Sequence, residues 1–373
     1  MSTTTFTLDK KKFVAYLNTM QSICSKRTTL AATNNILFHV SPRELTLKGT
    51  DLEVSLQSSC PLPDCSCEAP QAYLVPGRRI FDVVKELDEQ VTCTFTDSQM
   101  LVQSGPVKLA LHIYNPDEFP PFPERIENLM HLDCNDMLDL LNSVSFLIPQ
   151  HNSNPALNGL LLELSSENLT MTATDGHCLA QTKTTKYTVD GNYSWLLPRR
   201  AIFELKKLLE NSDDKTIFLG ICGNQLVFSG ENFNFYTKLL VDAFPQYEQI
   251  LNIAGFYHGT VTKTRFSKTL KRANCLLSGH FLATRFEFSP KSLHVTLKNK
   301  EIGSLDETVS LESFDGDVID IRFYAPYILN GLANFKEETI GFHLKNSTQP
   351  LIFQTDNQNS SLLYLVMPVS QTA

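Results

Sequence analysis

The best candidate for chemistry in this chain is Thr174-Asp175-Gly176-His177, where a carboxylic acid and an imidazole lie two residues apart. Such a pair could exchange protons in a hydrolase. No nucleophile and no metal-ligand set accompanies it at recognisable spacing. The competing reading, and the stronger one, is a strand ending in a turn: Asp175 caps, Gly176 supplies a positive φ, and His177 sits at the rim. A second cluster is Cys60, Cys65 and Cys67, with no C-x-x-C pair and no nearby histidine. A metal site there is a weaker reading than a reactive or merely tolerated loop. The phosphate-binding, dinucleotide, H-E-x-x-H and G-x-S-x-G signatures are all absent from the sequence. No catalytic residue, metal or cofactor is therefore expected.

The elements that would position these residues recur. VPGRRIFDVVKEL from Val75, LPRRAIFELKKLL from Leu197 and YAPYILNGLANF from Tyr324 resemble one another, with Pro76, Pro198 and Pro326 spaced by 122 and 128 residues. Strand-like runs follow the same order: NILFHV from Asn35, NGLLLEL from Asn158 and LATRFEF from Leu282. A second strand-like run follows each, LTLKGTDLEVSL, LTMTATDGHCLAQT and LHVTLKN, and the first two share a Thr-Asp pair, Thr50-Asp51 and Thr174-Asp175. A third element precedes each run, beginning at Leu8 and Leu132 in the first two copies, 124 residues apart. This period far exceeds that of stacked repeats, so each copy should be a domain. Boundaries are expected near 127 and 255, giving domains 1–127, 128–255 and 256–373. The first falls just past the proline-rich stretch YNPDEFPPFPE.

Within a copy the periods are readable. Phe13, Leu17, Met20 and Cys24 fall at helical spacing after Asp9, a suitable N-cap. Ile80, Val83, Val84 and Leu87 do the same after Pro76. Runs such as Val91 to Phe95 and Met100 to Ser104 read as strands. The expected fold is α+β: three similar domains, each of two helices and about six to eight short strands, with sheets on one side and helices on the other.

At 373 residues, two or three domains of roughly 100–200 residues are expected. Hydrophobic residues make up 42% and charged residues 19%, a composition that can bury a core and excludes a disordered chain. No apolar run approaches the roughly 20 residues that span a bilayer, and the start lacks the apolar stretch of a secretion signal. Nine scattered cysteines read as reduced thiols of a cytoplasmic protein.

The net charge of −8 is unevenly placed. Windows 9–27, 76–89, 133–147, 198–210, 262–279 and 325–338, read as helices, hold eighteen Lys and Arg against twelve Asp and Glu, a net +6 that leaves −14 elsewhere. An acidic chain can still turn one basic face to a polyanion. Lys and Arg are also good helix formers on solvated faces, and charge alone does not separate the two readings.

With these residues assembled, the chain resembles the β sliding clamp of bacterial DNA polymerase III. The matching features are Leu157-Asn158-Gly159, Ala173-Thr174-Asp175-Gly176-His177, Leu179-Ala180 and Leu197-Pro198-Arg199-Arg200. Phe244-Pro245 with Tyr247, the tail Tyr364 to Val369, and Thr50-Asp51-Leu52-Glu53-Val54 complete the set. Three departures stand out: Cys178 and Asn154 where the family usually has Arg, and no Pro in the stretch TTLAAT after Arg27.

The resemblance implies a non-enzymatic head-to-tail homodimer, three domains from each chain closing a ring around duplex DNA. The ring tethers the polymerase without reading sequence, and no cofactor or membrane is involved. It implies a cytoplasmic, nucleoid-associated protein. Partners would be the clamp loader, DNA polymerases and repair proteins, docking through short linear peptides that bear a Gln and a hydrophobic pair. Their groove would be walled by Leu157, Thr174, Gly176, His177 and Leu179, by Pro245 and Ile250, and by Val366, Met367, Pro368 and Val369. Arg27 corresponds to a family residue facing DNA. Lys12, Arg79, Arg199, Lys206, Lys268 and Arg272 join it from helix position alone. Leu109 and Leu111 at one end, and Leu276 and Leu277 at the other, would form the joint, although internal packing would also suit all four. A hydrolase using Asp175 and His177, and a protein-binding scaffold indifferent to DNA, are the competing functions.

Overall fold

The computed structural model describes residues 3–24, 30–123, 126–277 and 281–369. One order of elements is laid down three times. The first copy runs β1 Thr4–Asp9, α1 Lys10–Ile23, β2 Asn35–Val40, β3 Glu44–Thr50, β4 Val54–Pro61, β5 Gln71–Pro76, α2 Gly77–Lys85, β6 Gln90–Phe95, β7 Gln99–Ser104 and β8 Val107–His112. The second runs β9 Glu127–Asp133, α3 Cys134–Ser145, β10 Gly159–Leu164, β11 Leu169–Thr174, β12 Cys178–Thr184, β13 Tyr193–Pro198, α4 Arg199–Glu210, β14 Thr216–Cys222, β15 Gln225–Ser229 and β16 Phe233–Lys238. The third runs β17 Tyr257–Thr262, α5 Lys263–Asn274, β18 Thr284–Ser289, β19 Ser292–Asn299, β20 Gly303–Ser310, β21 Ser313–Phe314, β22 Ile319–Phe323, α6 Ala325–Leu332, β23 Thr339–Leu344, β24 Leu351–Asp356 and β25 Ser360–Val366. The six helices among the described residues fall inside the six expected windows. They are shorter at several ends, so Leu276 and Leu277 follow α5 and do not belong to it.

By packing, the chain divides into two compact units, 1–137 with 200–239, and 138–199 with 240–373. The first unit holds a four-stranded sheet, β1-β6-β7-β8, and an eight-stranded one, β5-β2-β3-β4-β16-β15-β14-β9. Helix α1 starts where Asp9 accepts a hydrogen bond from Lys12 N at 3.1 Å, satisfying one of the helix's unpaired donors. Its buried face is Phe13, Leu17, Met20 and Ile23. Phe13 meets Phe6 of the small sheet at 6.2 Å and Phe38 of the large one at 6.4 Å, both edge to face. Phe95 closes the ring against Phe6 and Phe38, each at 6.1 Å.

The second unit repeats this plan. Its sheets are β20-β19-β18-β22 and the nine-stranded β13-β10-β11-β12-β25-β24-β23-β17-β21. Phe266, fourth residue of α5 as Phe13 is of α1, packs on Phe286 of the small sheet at 6.3 Å and Phe353 of the large one at 6.4 Å. In both units two sheets converge on a helix, because one large aromatic side chain on that helix serves both.

Candidate functional site

Strand β11 ends at Thr174, and the turn to β12 is built by side chains. Thr174 Oγ1 donates to Cys178 O at 2.6 Å and accepts from Gly176 N at 3.1 Å. Asp175 Oδ1 accepts from His177 N at 2.8 Å and Cys178 N at 2.7 Å. Gly176 has φ of 92°, where an L side chain is strained. A Cβ there would lie 3.7 Å from Leu157 Cδ1, so Leu157 sits over the turn. The acid of the supposed catalytic pair is thus engaged with backbone. The His177 ring stacks on Tyr327 at 5.6 Å between centroids.

The tail completes this corner. Strand β25 pairs with β12, Val366 opposite Cys178 and Leu365 opposite Leu179. Met367 N extends the ladder to His177 O at 2.9 Å, and Val369 N donates to Arg322 O at 2.9 Å. Leu179 lies in a buried cluster with Ala156, Leu161, Leu196, Tyr247, Ile352 and Leu365, against which Phe244 and Leu251 pack. Tyr247 is fixed by its hydroxyl, which donates to Glu163 Oε2 at 2.7 Å, and burial raises its pKa.

The expected groove residues separate by exposure. Leu157, Thr174, Leu179 and Val366 are buried, Val366 completely. Gly176, His177, Pro245, Ile250 and Met367 are exposed, with Pro368 and Val369 half-buried. The floor is built into the sheet, and a ligand would meet the second set. The two residues that stand where the family usually has Arg have local roles. Asn154 Oδ1 accepts from Ala156 N at 3.1 Å, capping the 3-10 turn Pro155–Asn158 that presents Leu157. Cys178 is buried, and burial pushes its thiol up to about 12, so it behaves as a small apolar residue. Beside this corner a cavity of about 510 Å³ is lined by Glu163, Thr170, Gln181, Lys183, Tyr193 and Tyr247 among others.

The basic residues are less uniform than their helix positions suggest. Within the observed helices there are fifteen Lys and Arg and five Asp and Glu, a net +10. Lys12, Arg79 and Lys268 are exposed. Arg272 is bound to Glu307, Nε to Oε2 at 2.8 Å. Arg199 Nε donates to Ile148 O at 3.1 Å. Lys206 lies 5.4 Å over the Phe203 ring, and burial lowers its pKa. Arg27 lies outside the described residues.

Leu109, exposed, and Leu111, half-buried, sit on β8, which among the described residues pairs with β7 alone and forms an edge of its sheet. Leu276 and Leu277 are half-buried, and Leu276 O accepts from Asn299 Nδ2 at 2.7 Å. Among the described residues no group of three or more His, Cys, Asp and Glu could hold a metal ion, and no helix is long and apolar enough to cross a membrane.

Models of the DNA polymerase III beta subunit match the chain in succession: its N-terminal domain at 4–123, its central domain at 131–246 and its C-terminal domain at 257–370. The chain belongs to the DNA polymerase III beta subunit family. The beta sliding clamp of Pseudomonas aeruginosa is 28% identical over 370 residues, 98% of this chain and 99% of the relative; that of Escherichia coli is 27% identical over 367 residues with the same coverage. Among solved structures, a sliding clamp from Pseudomonas aeruginosa bound to griselimycin matches with TM-score 0.90 at 26% identity, covering 98% of this chain and 99% of that one. The clamp of Bacillus subtilis matches over 100% of both chains with TM-score 0.91 at 22% identity, a likeness of fold.

One residue of this family member escaped the sequence reading. Arg200, beside the nominated Arg199, binds the Asp51 carboxylate and donates to Ser22 O at 3.4 Å and Ile23 O at 3.2 Å. Asp51 stands in the first copy where Asp175 stands in the second. The signal available was its Thr-Asp pair, which marks the turn but not the partner.

Proposed function

We propose that the chain is a DNA sliding clamp, a non-catalytic processivity factor for DNA polymerase III. The observation that carries this reading is the run of three family-domain matches, N-terminal, central and C-terminal, end to end along one chain. Residues 1–127, 128–255 and 256–373 are its three clamp domains. Two chains join head to tail into a ring that encircles duplex DNA in the cytoplasm, associated with the nucleoid. Topology then does what affinity need not do: a closed ring cannot leave circular DNA, and weak phosphate contacts let it slide.

The charge distribution supports this, since the helices taken together carry a net +10, the basic excess lying on α1, α2, α4 and α5, while the rest of the chain is acidic. Arg27, Lys12, Arg79 and Lys268 are the main contributors to the lining. Arg199, Lys206 and Arg272 add to its field while held by neighbouring groups. The joint uses the β8 edge with Leu109 and Leu111 against the region of Leu276 and Leu277, where β20 is a second edge, paired among the described residues with β19 alone. An exposed apolar edge strand is an aggregation hazard unless it is paired.

Polymerases, repair proteins and the clamp loader dock by short peptides at the corner around Gly176, His177, Ile250 and Met367. The test is retention. Loaded on nicked circular DNA, the protein should co-elute with it and be released when the circle is cut. Equal retention on linear and circular DNA would replace threading by ordinary binding, and no retention on either would favour a scaffold indifferent to DNA.

A further inference from the structure

Cys65 and Cys67 belong to no part of the machinery above. They lie between β4 and β5, and their sulfurs are 3.3 Å apart, Cys65 Sγ donating to Cys67 Sγ. The backbone accounts for this closeness. The segment runs antiparallel to β1, with Cys65 bridged to Phe6, Ser66 N donating to Thr5 O at 2.8 Å and Thr7 N to Asp64 O at 3.4 Å. Ser66 Oγ accepts from Thr5 N at 2.9 Å. Extended backbone sends residues i and i+2 to one face, so both thiols are held on the same side. They differ in access: Cys65 is half-buried, while Cys67 is buried with its sulfur 3.9 Å from Val40 O.

We propose that Cys65 and Cys67 form a dithiol–disulfide site that reacts with low-molecular-weight disulfides. The Cys65 thiolate attacks one sulfur of the small disulfide; that S–S bond breaks, and one small thiolate leaves and takes up a proton. The Cys67 thiolate then attacks Cys65 Sγ of the mixed disulfide. The second small thiol leaves and the Cys65–Cys67 bond forms. The protein dithiol is oxidised by two electrons, the small disulfide is reduced to two thiols, and two protons pass from protein thiols to leaving groups.

Closure needs the sulfurs to move from 3.3 Å to about 2.05 Å. Closure also draws the two Cβ atoms together, so the extended segment must buckle and loosen its hydrogen bonds to β1, which lies at the edge of its sheet. Burial and the contact with Cys65 push the Cys67 thiol up to about 11, so the second step quickens as pH rises. A metal is a poorer occupant, since no third ligand joins the pair among the described residues.

The test treats the reduced full chain with oxidised glutathione at neutral pH, blocks remaining thiols by alkylation, and maps peptides by mass. The peptide holding Cys65 and Cys67 should lose two hydrogens, resist alkylation and carry no glutathione. In Cys67→Ser, glutathione should stay on Cys65; in Cys65→Ser, neither position should react. Closure should be several-fold faster in the folded wild type than in the same chain in urea. Wild-type Cys65 and Cys67 that remain alkylatable after the exposed Cys275 has reacted, or closure no faster folded than unfolded, would overturn the proposal.

Discussion

Leu52 and Gly176 occupy the same place in two copies of one turn. In the β3–β4 turn, Thr50 Oγ1 donates to Val54 O at 3.2 Å and accepts from Leu52 N at 3.0 Å. Asp51 Oδ1 accepts from Glu53 N at 3.0 Å and Val54 N at 2.8 Å. Each bond has its counterpart at Thr174 and Asp175 in the β11–β12 turn. The φ angles are 79° at Leu52 and 92° at Gly176, and Leu52 is the non-glycine residue with positive φ among the described residues.

This pairing predicts opposite effects of two substitutions. A left-handed L residue costs roughly 1–2 kcal/mol, and glycine's extra chain freedom offsets roughly 0.5–1 of that. Leu52→Gly should therefore stabilise by about 0.5–1 kcal/mol, its side chain being exposed at 41%. Gly176→Ala should destabilise by about 0.5–1 kcal/mol on the same reckoning, although the Cβ itself has room. Urea unfolding midpoints decide it, and a loss in both variants would mean that φ is not what distinguishes these positions.

The Asp51 carboxylate, with its side chain only 4% exposed, predicts strong coupling to Arg200. Removing the guanidinium leaves a covered charge with two backbone donors as its remaining partners. Arg200→Ala should cost about 2–4 kcal/mol. In a double-mutant cycle, adding Asp51→Ala should cost much less than it does alone, a coupling of roughly 1–3 kcal/mol. Additive losses would show the pair to be independent.

What was legible in the sequence was local. Asp9 before Phe13, Leu17 and Met20 announced α1, because a cap and a 3.6-residue stripe lie within one short window. Thr174-Asp175-Gly176 announced a turn for the same reason, and the matching Thr50-Asp51 announced the repeat. The pairings of β4 with β16 and of β12 with β25 were not legible. They join strands more than 170 residues apart, and nothing in either strand names the other. Site charges suffered likewise. Arg272 looked like a solvated helix cation until Glu307, on β20, was brought beside it. Burial was the other hidden quantity: Val366 and Met367 are neighbours of similar apolarity, and only the strand's end separates a covered side chain from an open one.

Acid should weaken the second unit through His343. Burial lowers its pKa below the usual 6.5, with the neighbouring His258 second, while Asp356 and Asp315 oppose. In the unfolded chain the imidazole regains its ordinary affinity for protons. As pH falls through about 6.5 the unfolded state takes up its proton first, so stability is lost from there down to the folded pKa. Above about 6.5 both states are neutral and the group contributes no pH dependence. Denaturation midpoints at pH 7.5, 6.5 and 5.5 should fall less steeply in His343→Gln than in the wild type. Parallel slopes would exonerate the residue.

The proposed ring joint predicts that a charge on the β8 edge yields monomers. Leu109 is 40% exposed and its strand has one hydrogen-bonded neighbour. Leu109→Asp should leave folding almost untouched and, in sedimentation, shift the protein from dimer to monomer. Leu276→Ala with Leu277→Ala should act in the same direction, with some loss of stability because both side chains are half-buried. A dimer of unchanged strength in Leu109→Asp would move the joint elsewhere.

The docking corner predicts that affinity resides in the residues that are open, not in the whole expected wall. Val366 is fully covered and pairs with both Cys178 and Leu351, so truncating the chain before it would damage the sheet along with any site. Ile250 and Met367 are the cleaner probes, at 42% and 36% exposed. Each would lose roughly 1–2 kcal/mol of apolar contact with a bound peptide on truncation to alanine, or about a tenfold loss of affinity. Met367 can also re-pack around different partners, so its loss should vary more from peptide to peptide than that of Ile250. The measurement is a fluorescence titration of labelled peptides carrying a Gln and a hydrophobic pair against wild type, Ile250→Ala and Met367→Ala, with Val241→Ala as an exposed control. The two site variants should each weaken binding about tenfold with unchanged unfolding midpoints, while the control binds as wild type. Unaltered affinity in both site variants would place the peptide elsewhere on the chain.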